Sequence, residues 1–193
     1  MFVDASGGMD RYDCRVFRLL THSTAGGLPL GCVITTSESR EAITLGLSLY
    51  NTIIPPNAFF GRGSKGSEVF LIDDSESERQ SLHDGYPNAV LVLCIFHLLQ
   101  AAWQFIWEGR NIVKKDDRPH LLSLLKTLVY ASSSDELEKY GILCNDKAVQ
   151  KYPKYLEYCY CKKQYGRREL WAVCYRSHLP MRGTTQRTLS NQR

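Results

Sequence analysis

The 193-residue sequence lacks several features that would place it in a specialised class of protein. It has no run of about 18 apolar residues, and its most apolar stretch, residues 89–107, is interrupted by His97 and Gln100. This favours a buried core segment over a membrane span. Met1 is followed directly by Phe2 and Val3, without a basic region or cleavage site, so we expect no signal peptide. The seven cysteines are odd in number and scattered, which favours reduced thiols in an intracellular protein over a disulfide framework.

Positive charge is scarce in the first half of the chain and is concentrated at its end. Residues 1–97 contain 7 Lys and Arg against 11 Asp and Glu, whereas residues 151–193 contain 10 against 2. Tyrosines are interleaved with this basic segment, a composition that suits contact with a polyanion. The alternative interpretation is a basic helix face that is simply solvated. The candidate contact residues are Lys151, Lys154, Lys162, Lys163, Arg167 and Arg168.

Hydrophobic periodicity predicts an α/β arrangement. Three strands, over residues 1–5, 13–22 and 28–36, are expected to form an antiparallel meander, followed by a helix that Ser37 or Ser39 caps. After a loop at residues 57–66, compact apolar strands at 68–72 and 89–94 alternate with helices at 75–84 and 97–110. Residues 116–165 are expected to be mainly helical, with a capping motif at residues 134–136.

This order of elements is typical of the RNase H-like fold, in which a central mixed sheet of three antiparallel strands followed by parallel strands is flanked by helices. We therefore expect an RNase H-like core at residues 1–110. Residues 111–193 would form a helical insertion and a basic C-terminal segment.

Two carboxylates have positions that suggest chemistry. Asp4 lies inside the first apolar strand, where a carboxylate needs a partner, and Asp73 follows a buried strand at the edge where α/β sheets gather ligands. If the first and fourth strands are adjacent, the two side chains face each other and call for a cation such as Mg²⁺. Alternatively, Asp4 is solvated, and Asp73 and Asp74 merely cap the following helix.

Cysteine and histidine occur together twice. Cys94 and His97 form a C-x-x-H at a strand–helix junction, which is more typical of core residues than of a complete zinc site. The second set has ligand types that suit a small zinc knuckle, although the Trp-Ala-Val before its third member suggests packing. Its members are Cys159, Cys161, Cys174 and His178.

These segments resemble the catalytic domain of the Mutator-like element (MULE) transposases. The most specific part is residues 70–75, FLIDDS, with Tyr86-Pro87 and residues 93–100, LCIFHLLQ. In that family an acid-bearing strand precedes a helix, a proline and a C-x-x-H that continues into a helix. Residues 4–7, DASG, are similar to the first-acid strand, and residues 171–183 are similar to the tract before the final Glu.

The resemblance implies a DDE transposase that binds Mg²⁺ or Mn²⁺ for phosphodiester hydrolysis and strand transfer at transposon ends. Asp4 and Asp73 would be the first two acids and metal ligands, and Cys94 and His97 would lie near the second acid. Its partners would be the DNA of the transposon ends and of the target site, in the nucleus. The resemblance implies no contact with a membrane and is compatible with a homo-oligomer.

The sequence departs from the family pattern near its end. No Glu occurs after Glu169, which precedes the tryptophan tract, and residues 184–190 read TTQRTLS where an Asn-rich turn and the third acid would follow. We therefore expect a truncated catalytic domain with weak or no activity, since a second metal would be poorly held. The alternatives are a non-enzymatic DNA- or protein-binding remnant and a small zinc-binding interaction module.

Overall fold

The computed structural model of the protein describes residues 1–7, 11–23, 26–109, 112–140, 145–160 and 165–179. The chain forms two compact units. The first unit includes Met1–Cys94, and the second unit begins at Ile95.

The first unit is built on a five-stranded mixed sheet. Its strands are β1 (Phe2–Gly7), β2 (Arg15–Ser23), β3 (Gly26–Thr35), β4 (Val69–Ile72) and β5 (Val90–Leu93), in the spatial order β3-β2-β1-β4-β5. β1–β2 and β2–β3 are antiparallel, whereas β1–β4 and β4–β5 are parallel. The predicted antiparallel meander, the parallel strands and the α/β class are therefore confirmed.

The two faces of the antiparallel strands have different environments. Val3, Phe17, Leu19 and Val33 are buried, and along β2 and β3 the buried positions alternate with those of more exposed neighbours. Side chains of a strand point alternately to opposite faces, so these four residues lie on one apolar face. Arg18 is on the opposite face, where it is exposed.

Two helices complete the core of this unit. α1 (Arg40–Ile53) begins at its N-cap Ser39, whose side chain accepts a hydrogen bond from the Ala42 amide at 3.2 Å. α3 (Glu76–Gly85) packs against α1, and an ion pair of 2.6 Å between Arg40 and Asp84 joins them. The buried residues of α1 are Ile43, Leu47 and Tyr50.

The connection after α1 is more ordered than the loop that was predicted for residues 57–66. It contains the short α2 (Ala58–Gly61) and a 3₁₀ turn at Gly63–Lys65. Phe59 and Phe60 within α2 have positive φ angles of 50° and 58°, so α2 is not a regular helix.

The second unit is helical, as predicted. Its helices are α4 (Ile95–Trp107), α5 (Arg118–Val129), α6 (Ser134–Tyr140), α7 (Lys147–Gln150) and α8 (Pro153–Tyr160), with 3₁₀ segments at Tyr165–Leu170 and Val173–Arg176. The core of this unit gathers Ile106, Val113, Leu121, Val149, Tyr152, Tyr155 and Cys159. Among the residues that the structure describes, no helix has both the length and the hydropathy needed to cross a membrane.

A close approach between α1 and β3 makes Gly46 a test of this packing. A Cβ atom at position 46 would lie 2.3 Å from Cγ1 of Val33, a buried and rotationally stiff side chain. Gly46→Ala should therefore lower the free energy of unfolding by about 1–3 kcal/mol, because overpacking outweighs the gain in helix propensity. Urea denaturation of both proteins would measure the difference.

The matched control is Gly85→Ala at the end of α3, where an added Cβ meets no atom within 4 Å. This change should leave stability unaltered or raise it by up to about 1 kcal/mol. Equal effects of the two substitutions would contradict the close α1–β3 packing.

Candidate metal centre

The candidate site is set by the pairing of β1 with β4. These strands are parallel, and Phe2 is in register with Leu71. Two residues further along each strand, the same register brings Asp4 alongside Asp73, which directly follows Ile72 at the end of β4. Both side chains then point to the same face of the sheet, because side-chain direction repeats every two residues.

The carboxylates come within reach of one cation. One carboxylate oxygen of Asp4 and one of Asp73 lie within 4.8 Å of each other, and both residues are half-buried. Ligand atoms bound to a common divalent ion at about 2.0–2.6 Å are separated by no more than about this distance.

The elements that carry these residues account for their positions. β5 is parallel to β4, and the Cys94 amide donates to the Ile72 carbonyl at 2.8 Å, so the pairing continues to the end of β5. Cys94 directly follows β5 and is buried. His97 lies in the first turn of α4 and is half-buried. The C-x-x-H is thus divided between a core thiol and a half-buried imidazole.

Arg18 is a neighbour of this site that the sequence analysis missed. It is the cross-strand partner of Asp4 on β2, and its Nη2 donates to Oδ2 of Asp4 at 2.7 Å. The side chains of Arg18 and Asp4 are 44% and 28% exposed, so the pair is partly solvated. A cross-strand cation supplies the partner that a carboxylate inside an apolar strand requires.

The helix after Asp73 is capped by a different residue from those proposed. Ser75 is the N-cap of α3, and its Oγ accepts a hydrogen bond from the Glu78 amide at 3.3 Å. The alternative in which Asp73 or Asp74 takes this capping position is therefore wrong. Ser133 similarly accepts from the Glu136 amide at 3.1 Å before α6, one residue ahead of the predicted capping motif.

The basic segment is only partly within the described residues. Lys151 and Lys154 are exposed near the start of α8, and Nζ of Lys151 lies 3.7 Å from a carboxylate oxygen of Asp117. Arg167 and Arg168 are half-buried. Lys162 and Lys163 lie outside the described residues.

The proposed zinc set does not assemble among the residues that the structure describes. Cys159 belongs to the apolar core of the second unit, and burial raises the pKa of its thiol to about 12. A thiol in such surroundings stays protonated and is a poor metal ligand. Cys174 is half-buried, His178 is exposed, and Cys161 lies outside the described residues.

Comparison of the chain with protein-family models and with curated proteins finds no match.

The assignment of the α3 cap gives a direct test of the geometry beside Asp73. Ser75→Ala should lower the free energy of unfolding by about 1 kcal/mol, because it removes the acceptor for the Glu78 amide. Asp74→Ala, at the exposed neighbouring position, should have the smaller effect. Thermal unfolding of the two variants would compare them, and a larger loss for Asp74→Ala would show that the cap has been misassigned.

Proposed function

We propose that this chain is the metal-binding core of an enzyme that hydrolyses DNA phosphodiester bonds and transfers the cut strands. We further propose that it has the RNase H-like fold and descends from the MULE transposases. The observation that carries the proposal is the approach of the Asp4 and Asp73 carboxylates across two adjacent parallel strands. The strand order β3-β2-β1-β4-β5 supports it, because it is the order that the RNase H-like fold requires for the first two acids to be neighbours.

The donor set fits a divalent cation. Two carboxylates within 4.8 Å repel each other unless a cation lies between them, and hard cations prefer oxygen ligands. We expect Mg²⁺ or Mn²⁺ to bind there, since carboxylate ligands suit both. Bound there, one cation would supply Lewis-acid activation at the scissile phosphate, whereas acting on the attacking and the leaving oxygen together takes two cations.

The chain's own residues orient the reaction. The β1–β4 register holds Asp4 and Asp73 on one face, and Arg18 fixes one oxygen of Asp4 through its 2.7 Å hydrogen bond. Two neighbouring carboxylates can share one cation, and we expect a second cation to be held less well. We therefore propose weak nuclease activity for this chain rather than full transposition.

DNA is the proposed partner. The exposure of Lys151 and Lys154 supports this proposal, because exposed cations can contact phosphates, and the proposal extends the same role to Lys162, Lys163, Arg167 and Arg168. Action on chromosomal DNA would require the chain to reach the nucleus, and cleavage of paired transposon ends would call for a homo-oligomer.

Replacement of the second carboxylate tests the metal centre. Asp73→Asn should reduce Mn²⁺ affinity at least tenfold and abolish metal-dependent nicking of a transposon-end duplex, because a neutral amide is a weaker ligand. Isothermal titration with Mn²⁺ and a gel-based nicking assay would measure the two effects. Asp84→Asn, in the Arg40 ion pair of α1 and α3, is the matched control and should change neither.

The outcomes separate the possibilities. Mn²⁺ binding that is the same in the wild type and Asp73→Asn would overturn the metal centre. Mn²⁺ binding that depends on Asp73, without nicking, would leave a metal-binding core that lacks catalysis.

The salt dependence of DNA binding tests the basic segment. If Lys151 and Lys154 each neutralise a phosphate, replacing both with Gln should reduce the slope of log affinity against log salt by about 2. Fluorescence anisotropy over a series of salt concentrations would give this slope. Lys126→Gln, at an exposed position on α5, is the control and should leave the slope unchanged. An unaltered slope in the Lys151 and Lys154 double variant would refute their contact with DNA phosphates.

A further inference from the structure

We propose that Arg18 is a phosphate-binding residue of the metal centre and holds a non-bridging oxygen of the DNA strand beside Asp4. This inference rests on the proposed function, since it assigns a DNA contact at the same site. No motif in the sequence points to Arg18. The assignment comes from its position in the sheet.

The geometry leaves most of the Arg18 guanidinium available. Its one hydrogen bond among the described residues is the 2.7 Å contact from Nη2 to Oδ2 of Asp4. A guanidinium has five N–H donors in a planar fork, so donors remain for a second anion. The Arg18 side chain is 44% exposed, which allows a ligand to reach them.

The neighbours of Arg18 on β2 and β3 carry no charge, and its one charged cross-strand partner is Asp4 on β1. Its partner on β3 is Cys32, which is exposed, and its neighbours on the same face of β2, Val16 and Leu20, are half-buried. In the strand register, Asp4 is thus the acidic side chain directly opposite Arg18, and no second acid competes for it from the facing position on β3.

Charge balance indicates what the remaining donors bind. Asp4 and Asp73 together carry two negative charges, which a single divalent cation neutralises. Arg18 then contributes one uncompensated positive charge at the edge of the site. A DNA phosphodiester carries one negative charge and two non-bridging oxygens, so it matches both the charge and the fork geometry of Arg18.

The test compares Arg18→Gln and Arg18→Lys with wild type. Arg15→Lys is the matched control, because Arg15 lies on the same strand but on the opposite face, where it pairs with Asp13 and Glu38. A labelled duplex is titrated in Ca²⁺, which occupies carboxylate sites, and affinity is read by anisotropy. Mn²⁺ affinity of each protein is measured separately by calorimetry, and thermal unfolding verifies that each variant is folded.

We expect Arg18→Gln to weaken DNA binding about tenfold, because one charge-assisted contact is lost. Arg18→Lys should give an intermediate loss of affinity. Arg15→Lys should bind DNA as wild type does. Mn²⁺ affinity of Arg18→Gln should be equal to or greater than that of wild type, because a cation that competes for Asp4 has been removed.

Two results would overturn the assignment of Arg18 alone. One is DNA affinity within twofold of wild type in both Arg18 variants. The other is a parallel loss of Mn²⁺ and DNA affinity in Arg18→Gln, which would show that Arg18 only positions Asp4.

Failure of the proposed function would give a different result, because Mn²⁺ would then bind Asp73→Asn as tightly as it binds the wild type. In that case a DNA defect in Arg18→Gln would still support a phosphate contact, and its absence would refute both proposals.

Discussion

The parallel pairing of β1 with β4 is the constraint on which the candidate site depends. Asp4 and Asp73 are 69 positions apart in the chain, and only this strand register brings their carboxylates within 4.8 Å. The register is in turn held by apolar residues on the same strands, since Phe2, Val3 and the whole of β4 are buried. The free energy that holds two like charges together therefore comes from hydrophobic burial elsewhere in the sheet.

Arg18 changes the electrostatic character of the pair. Two half-buried carboxylates that lie close together repel each other unless a cation is nearby. The ion pair to Asp4 removes part of that repulsion while leaving the other oxygen of Asp4 to a ligand. The strand register therefore brings a compensating cation to one of the two carboxylates, that of Asp4.

Much of this arrangement could be predicted from the sequence. The apolar runs predicted all five strands, and the positions of Asp4 and Asp73 within and after such runs marked the candidate site. Arg18 could not be assigned in this way, because its contact depends on a cross-strand register that periodicity within one strand does not specify. The helix cap could not be assigned from the sequence either, because Asp73, Asp74 and Ser75 are all residue types that cap helices. Which of them is the N-cap depends on backbone angles, and Ser75 has the extended values of φ −91° and ψ 120°.

The alternation of β1 has a consequence for the kinds of mutation that the chain can tolerate. Val3 and Asp4 are adjacent but face opposite sides of the sheet, one in the apolar core and the other at the candidate site. A single-codon insertion or deletion within β1 would exchange the two faces, placing a carboxylate in the core and damaging fold and chemistry together. Substitution of Asp4, by contrast, would alter the candidate site and leave the core intact. A point mutation at the candidate site is therefore compatible with the fold, whereas a change of length in this strand is not.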